Sequence, residues 1–128
     1  MGRRVPLPNV RPTQLYLSRE KLVGVLEWFD VDSPTYEPLP AFEHEGEWYL
    51  ADGHTRAFAA ALGGAETICL ERDDEVRDLY DFDVYLKCIE WCRQEGVDTV
   101  HDLHGRVLEP DTYQRRWLDR CQAVSDAD

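Results

Sequence analysis

Residues 48–64 read Trp-Tyr-Leu-Ala-Asp-Gly-His-Thr-Arg-Ala-Phe-Ala-Ala-Ala-Leu-Gly-Gly, an apolar run that turns through Asp-Gly into an alanine-rich segment. Its first four residues predict a strand. Ala57 to Leu62 are strong helix formers, and Gly63-Gly64 is typical of a helix C-cap. Gly53 permits a tight turn with positive φ between the two elements. The stretch therefore predicts a strand, a turn and a helix in succession.

The turn concentrates polar residues at the point where the helix begins. Asp52, His54 and Thr55 fall where a helix exposes unpaired backbone N–H groups. Arg56 adds a full charge that can fork around a phosphate or a carboxylate. Because a helix N-terminus also carries partial positive charge, the pattern predicts an anion site. The alternative is ordinary turn chemistry, in which Asp52 caps the helix and Arg56 is solvated.

The segments around this turn extend the pattern. A predicted hairpin precedes it, with residues 39–43 pairing with residues 47–51, and a proline-rich opening, residues 5–12, precedes a short helix. Together with Asp52-Gly53-His54-Thr55-Arg56-Ala57, these segments resemble the ParB/sulfiredoxin-like superfamily over roughly residues 5–72. The resemblance implies an α+β fold with a small mixed β-sheet and helices.

Three branches of that superfamily differ in the motif at the turn. Partition-type ParB proteins have G-E-R-R, which contacts nucleotide phosphates, and Gly53 and Arg56 match it. Sulfiredoxins have G-C-H-R with a nucleophilic cysteine, and His54 occupies that cysteine's position, which argues against sulfinic-acid reduction. ADP-dependent free-serine kinases have D-G-H-H-R, which this chain matches except for Thr55. The resemblance implies a phosphate or nucleotide pocket, with ADP or ATP and Mg²⁺ as cofactors.

One position departs from the kinase pattern. The kinases place an acidic residue just after the first proline of the opening segment, whereas here Pro12 is followed by Thr13-Gln14. A glutamine cannot act as a general base. The resemblance therefore supports a phosphate pocket more strongly than it supports phosphorylation of serine.

The charge balance restricts the class of ligand. The chain has 26 Asp and Glu against 14 Lys and Arg, which gives a formal net charge of −12. Nucleic-acid binding is disfavoured because it depends on clustered cations. A pocket's local charge can still favour a small anion, and an acidic surface is also typical of proteins from salty environments.

The sequence predicts a protein outside the membrane. No stretch approaches the ~20 apolar residues of a membrane span, and residues 1–4 are followed by prolines instead of an apolar signal core. We therefore expect a cytoplasmic protein whose four cysteines are free thiols, with Cys69 in the core.

At 128 residues and 43% hydrophobic content, the chain is long enough for one domain. Residues 1–72 are the motif-bearing half, and residues 73–128 predict a helical extension packed in the same domain. In the first half, Ser18 predicts the start of a helix that places four apolar side chains on one face: Leu22, Val25, Leu26 and Phe29. Glu20, in its first turn, is expected to face solvent.

The extension predicts two longer helices and, between them, a turn and a short helix over residues 97–103. The first runs from residue 73 to Gln94 with a break near residues 81–83, and Glu95-Gly96 ends it. The final helix begins at Pro110, frays beyond Val124, and places four side chains on one face: Tyr113, Trp117, Leu118 and Cys121.

The extension also contains a second group of reactive residues. Cys88 and Cys92 lie one helical turn apart, so a zinc site or a Cys–His thiol catalyst would draw its other members from three residues downstream: His101, His104 and Cys121. Zinc sites usually use C-x-x-C turns, whereas C-x-x-x-C is more typical of small core packing. We therefore assign no metal ligands, and zinc is not an expected cofactor.

Two classes of function remain open. The first is a nucleotide-dependent phosphotransferase, in which the turn amides and Arg56 hold a phosphate, His54 assists charge or proton movement, and Asp52 orients a metal or a substrate hydroxyl. The second is a non-catalytic anion-sensing or regulatory module, whose helical half contacts a protein partner or a second copy through Trp91 and Trp117. The catalytic candidates are Asp52, His54 and Arg56, and the ligand-binding candidates are Gly53, His54, Thr55 and Arg56.

Overall fold

The computed structural model describes residues 2–29, 38–73 and 82–126. The strands are β1 (Arg3–Pro6), β2 (Val10–Arg11), β3 (Leu17–Ser18), β4 (Leu39–His44), β5 (Glu47–Leu50), β6 (Thr67–Arg72) and β7 (Val107–Leu108). The α-helices are α1 (Arg19–Trp28), α2 (His54–Leu62), α3 (Phe82–Gln94), α4 (Pro110–Tyr113) and α5 (Asp119–Asp126). Short 3-10 helices span Leu7–Asn9 and Val100–Leu103, and a π-helical turn, Gln114–Leu118, joins α4 to α5.

Five strands form one mixed sheet in the order β1-β6-β4-β5-β2. The β1–β6 and β4–β5 pairs are antiparallel, whereas β4–β6 and β2–β5 are parallel. A separate parallel pair joins β3 to β7. The predicted α+β architecture with a small mixed sheet and helices is confirmed.

The predicted hairpin is present with a shorter turn. His44 still pairs with Glu47, so Glu45 and Gly46 alone make the turn. Both have positive φ, 53° and 81°, as a two-residue type I′ turn requires. The sequence placed His44 in the turn between the two strands, whereas in the structure it is the last residue of β4.

The alternation of side chains along β4 and β5 gives the sheet two covered faces. Ala41 and Leu50 face the main core, which also contains Phe58 of α2. Phe42 and Tyr49 point the other way and pack with α3 in a second cluster. Because both faces are covered, the C-terminal end of β5 is held firmly at the point where the motif begins.

Helix α1 begins as predicted, with the Ser18 side chain accepting a hydrogen bond from the backbone N–H of Lys21. Its apolar face is narrower than predicted. Leu26 is 42% exposed, and no residue within the helix is buried, although Phe29 just beyond it is. The cause is that α1 lies at the periphery, where only a thin stripe of it meets α2 and the core. Glu20 is exposed, as expected.

Two further apolar predictions need correction in different degrees. Leu118 lies on the same side as Trp117 and Cys121, where all three line one cavity, but it is 39% exposed. Cys69 is only partly buried, because Ile68 and Leu70 take the inward positions of β6 and the residue between them faces the opposite side.

The helical half differs from its prediction in detail. The first predicted helix is described from Phe82 to Gln94, and residues 74–81 of that prediction lie outside the described residues. Gly96 ends it with φ of 73°, while the N–H of Val97 donates to the carbonyl of Cys92. The final helix continues to Asp126, beyond the predicted fraying at Val124.

Trp91 and Trp117 pack against each other, with ring centroids 6.0 Å apart, and neither is more than 8% exposed. They therefore belong to the core and do not offer a surface to a partner, which corrects the role that the sequence assigned to them. None of the helices in the described residues combines the length and the apolar character that crossing a membrane requires.

Candidate functional site

The motif folds as a tight turn between β5 and α2. Gly53 is the N-cap of α2, with φ of 81° and ψ of 20°, a left-handed conformation that favours glycine. A Cβ added there would lie 2.8 Å from the Leu39 side chain and 3.1 Å from Nη2 of Arg56. The predicted positive φ is therefore confirmed, and the close approach of neighbouring side chains is a second reason for glycine.

Hydrogen bonds from three parts of the chain hold the turn in place. The N–H of Ala51 donates to the carbonyl of Pro40 at 2.9 Å. The Thr13 hydroxyl donates to the carbonyl of Leu50 at 2.7 Å, and the Tyr85 hydroxyl donates to the carbonyl of Ala51 at 3.0 Å. The turn backbone is thereby fixed before any ligand binds.

These contacts leave the first amides of α2 unpaired. The first intrahelical bond runs from the N–H of Ala57 to the carbonyl of Gly53, at 2.9 Å. Within the described residues, no acceptor meets the N–H groups of His54, Thr55 and Arg56, and no side chain caps the helix. The alternative in which Asp52 caps the helix is therefore wrong. Three donors remain at the positive end of the helix dipole.

The Arg56 side chain turns back over this helix start, as its approach to Gly53 indicates. No hydrogen bond or ion pair engages its guanidinium among the described residues. A pocket of about 300 Å³ lies against it, and α1 supplies the facing wall. The lining residues are Gln14, Lys21, Gly24, Val25, Trp28 and the motif itself, residues 52–56. We call this the turn pocket.

His54 is 3% exposed and is anchored through one ring nitrogen. Its Nε2 accepts a hydrogen bond from the N–H of Thr13 at 2.9 Å, so the proton of the neutral ring resides on Nδ1. Burial lowers the pKa of His54 from 6.5 to about 4, and the nearby Asp52 carboxylate opposes this only in part. His54 is consequently an uncharged donor at neutral pH.

The Nδ1 atom of His54 is buried and has no hydrogen-bond partner among the described residues. An unpaired polar atom in the interior costs about 1–3 kcal/mol. Natural proteins retain few such atoms, and functional sites are one place where they occur.

Gln14 connects the turn pocket to a larger cavity. Its amide nitrogen donates to the Tyr16 carbonyl at 2.8 Å and to the Tyr113 hydroxyl at 3.0 Å, which leaves its carbonyl oxygen uncommitted. Gln14 and His54 also line a cavity of about 510 Å³ between α3 and the C-terminal helices. We call it the helical cavity.

The structure brings together most of the residues that the sequence singled out at the turn. Gly53, His54, Thr55 and Arg56 all line the turn pocket, and Asp52 is exposed at its edge. Their assignment as catalytic or ligand-binding residues remains a prediction.

The structure does not bring together all the residues of the candidate zinc or thiol site in the helical extension. Cys88 and Cys92 are buried, whereas His101 and His104 are exposed. No group of three or more His, Cys, Asp or Glu side chains suited to a metal ion occurs in the described part of the chain. Cys121, however, lies 4.0 Å from Cys88, measured between the sulfurs.

Sequence reasoning missed Lys21, Trp28 and Thr13 as parts of the site. Lys21 and Trp28 belong to α1, and only the packing of α1 on α2 brings them to the pocket. Thr13 follows Pro12 in the opening segment, and nothing in the sequence indicated that it contacts residue 54. The sequence offered one indication of these residues, Lys21 in the first turn of α1. A lysine at that position is common in solvent-exposed helices, so it did not point to a site.

The fold is shared with a solved structure. The crystal structure of protein Atu1540 from Agrobacterium tumefaciens matches with a TM-score of 0.52 and 16% identity, covering 80% of this chain. The chain has a ParB/sulfiredoxin-like fold. It spans 61% of the length of Atu1540.

The crystal structure of sulfiredoxin from Arabidopsis thaliana also matches, with a TM-score of 0.39 and 18% identity, over 57% of this chain and 84% of sulfiredoxin. No protein-family model matches the sequence, and neither does any curated protein. At these identities the likeness concerns the fold, and function has to be argued from the site.

Proposed function

We propose that the turn pocket binds the phosphate group of a small phosphorylated molecule or nucleotide. Two observations carry this proposal: the first three amides of α2 have no acceptor among the described residues, and the unpaired guanidinium of Arg56 lies beside Gly53 at the same helix start. Backbone N–H groups at a helix start and a forked guanidinium are the donors that phosphate oxygens accept from most readily. The pocket volume of about 300 Å³ accommodates such a group.

The local charge of the pocket supports an anion despite the acidic chain. None of the arginines seen to contact a carboxylate in the described residues lines the turn pocket; they are Arg11, Arg19, Arg72, Arg93, Arg106 and Arg120. Lys21 and Arg56 have no carboxylate partner among the described residues, and both line the turn pocket. Asp52 is the one acidic residue in that lining. Two uncompensated cations against one carboxylate favour a negatively charged ligand.

In this proposal His54 acts as a neutral positioning donor and not as a proton shuttle. A pKa of about 4 leaves too little of the protonated form at neutral pH for proton exchange. The bond from Thr13 fixes the ring, and Nδ1–H is the donor that still lacks a partner. This refines the role that the sequence suggested for His54.

Phosphoryl transfer with ADP or ATP and Mg²⁺ is the catalytic form of the proposal. Its reaction would need a carboxylate to take Mg²⁺ or to accept the proton of a substrate hydroxyl. Asp52 is exposed at the pocket edge and is the group suited to that role, because Gln14 cannot accept a proton. The alternative is an anion-sensing or regulatory module that uses the same donors without turnover.

Calorimetry with inorganic phosphate, ADP and ATP, each with and without Mg²⁺, tests the pocket. We expect Arg56→Ala to weaken binding by tenfold or more, since a hydrogen bond to a charged group contributes about 1.5–3 kcal/mol. Arg115→Ala is the matched control, because Arg115 is exposed and, in the described part of the chain, its side chain bonds only to the carbonyl of Asp111. Equal affinities in Arg56→Ala and the wild type, or no binding to any of these anions, would overturn the proposal.

Asp52→Asn separates the two forms of the proposal. A phosphotransferase should lose turnover in Asp52→Asn while it still binds the anion, because the amide keeps the shape but cannot accept a proton. A sensor should bind in both proteins and show no transfer to small hydroxyl acceptors in either. Turnover in the wild type that persists in Asp52→Asn would remove Asp52 from the mechanism.

A further inference from the structure

The helical cavity has a pair of thiols in its wall. Cys88 lies on α3 and Cys121 on α5, and their Sγ atoms are 4.0 Å apart. Both residues line the cavity, so a small reagent that enters it meets both sulfurs. The two helices pack directly against each other, which keeps the sulfurs together.

The other two cysteines provide an internal comparison. Cys69 lies on β6 and Cys92 is 2% exposed, and neither lines the helical cavity. No hydrogen bond joins either of them to another sulfur among the described residues, although Cys92 lies near enough to Cys88 to raise the pKa of the Cys88 thiol. The described part of the chain therefore has one hydrogen-bonded thiol pair and two further thiols of the same chemical type.

The two sulfurs of the pair are electrostatically unequal. The hydrogen bond between the two sulfurs lowers the pKa of the Cys121 thiol, burial opposes this effect, and the neighbouring Arg120 lowers the pKa further. The same hydrogen bond, followed by burial, raises the pKa of Cys88. Cys121 is also the more exposed of the two, since Cys88 is only 4% exposed, so Cys121 is the sulfur that a reagent reaches first and that better holds a negative charge. A thiolate is the form that attacks an electrophile.

We propose that Cys121 and Cys88 form a peroxide-reactive dithiol in which Cys121 is oxidised first and Cys88 then closes a disulfide. The Cys121 thiolate attacks one oxygen of hydrogen peroxide, and the O–O bond breaks. Hydroxide departs as the leaving group, and Cys121 becomes a sulfenic acid. The Cys88 sulfur then attacks the Cys121 sulfur, and the sulfenic oxygen leaves as water. Two thiols lose two electrons, and one peroxide is reduced to two waters.

The geometry suits this second step. A disulfide requires the sulfurs to approach to about 2.05 Å, so they must move together by about 2 Å. Both sit on side chains that can rotate into a cavity of about 510 Å³. The bond would connect α3 to α5 and would close a loop of more than thirty residues. It therefore should stabilise the fold and change the wall that the cavity shares with His54 and Gln14.

Peptide mapping of the wild-type chain after brief treatment with one equivalent of hydrogen peroxide is the primary experiment. We expect a Cys88–Cys121 disulfide, a fall from four titratable thiols to two, and a rise in Tm of roughly 5–10 °C that dithiothreitol reverses. The mapping needs no variant, so it does not depend on how a substituted chain folds.

Variants then assign the order of the two steps. Cys88→Ser should leave a sulfenic acid on Cys121 that dimedone traps, whereas Cys121→Ser should lose the fast reaction with peroxide. Cys69→Ser is the matched control and should oxidise like the wild type.

Three outcomes would overturn the proposal. They are oxidation of all four cysteines at similar rates, conversion of Cys121 to a sulfinic acid with no disulfide in the wild type, and fast peroxide consumption that survives in Cys121→Ser.

Discussion

At the scale of single residues, His54 combines burial, one fixed hydrogen bond and one unpaired nitrogen. Burial disfavours the charged imidazolium, so the folded chain binds the proton at His54 more weakly than the unfolded chain does. The pKa of His54 lies near 4 in the folded chain, against 6.5 for an unperturbed histidine. Stability is therefore lost as the pH falls from about 6.5 to about 4.

We expect His54→Gln to reduce this pH dependence. From pH 7 to pH 4.5, the wild type should lose about 2–3 kcal/mol more in its free energy of unfolding than His54→Gln does. Glutamine can still accept the bond from the Thr13 N–H but does not titrate. Urea denaturation at the two pH values measures the difference.

His104→Gln is the control for this experiment, because His104 is exposed. Its pH dependence should match that of the wild type. If His54→Gln and the wild type lose the same stability on acidification, then His54 is not held neutral by burial.

The residues of the turn could be predicted because their chemistry is local. Gly53 before a helix start and Arg56 one turn further along are visible as spacing in the sequence. The positions of Lys21 and Thr13 could not be predicted, since both depend on how distant segments pack on α2. The neutral state of His54 likewise follows from burial, which no local pattern reports.

At the scale of elements, replacement by alanine should have opposite effects on stability at Gly64 and at Gly24. Gly64 follows α2 with φ of 86°, and the N–H of Ala65 donates to the carbonyl of Ala60, as in a Schellman cap. Gly24 lies within α1, where glycine disfavours the helix. A Cβ at either position would meet no atom within 4 Å.

We expect Gly64→Ala to destabilise the protein by about 1 kcal/mol, because alanine is strained at positive φ. Gly24→Ala should stabilise it by about 0.5–1 kcal/mol, through helix propensity and a less flexible unfolded chain. Thermal denaturation of the two variants beside the wild type measures both signs. A shared sign would mean that packing, and not backbone conformation, dominates at one of the two sites.

Elements with strong local signals were predicted well. The hairpin and α2 each have apolar patterning bounded by turn residues, and both are present. The order of the strands in the sheet could not be predicted from the sequence, because the pairing of β1 with β6 joins segments far apart in the chain. The exposure of Leu26 and Leu118 could not be predicted for a related reason, because an apolar face shows that a helix packs but not how much of the face is covered.

At the scale of the whole molecule, one core cluster contains residues from both halves of the sequence. Tyr16 and Trp117 have ring centroids 6.5 Å apart, and Trp117 also packs edge-on against Trp91. The side chain of Arg116 donates to the Tyr16 hydroxyl at 2.7 Å. These contacts join the motif-bearing half to the helical extension and favour the proposal that they form a single domain.

We expect Trp117→Ala to lower the free energy of unfolding by about 3–5 kcal/mol, because it leaves a large cavity in this shared core. Unfolding should remain a single transition when followed by fluorescence and by far-UV circular dichroism. Trp28→Ala is the matched control, since Trp28 is 55% exposed, and it should cost about 1 kcal/mol or less. Two separate transitions, with only one shifted by Trp117→Ala, would show that the halves fold independently.

The short β3–β7 pair has a consequence for how the protein is made. Leu17 pairs with Val107, and Ser18, which caps α1, pairs with Leu108. A nascent chain on the ribosome therefore presents Leu17 long before its partner strand has been synthesised. Until then the apolar side chains of the early segments stay uncovered, which is the condition under which chaperones bind and aggregation begins.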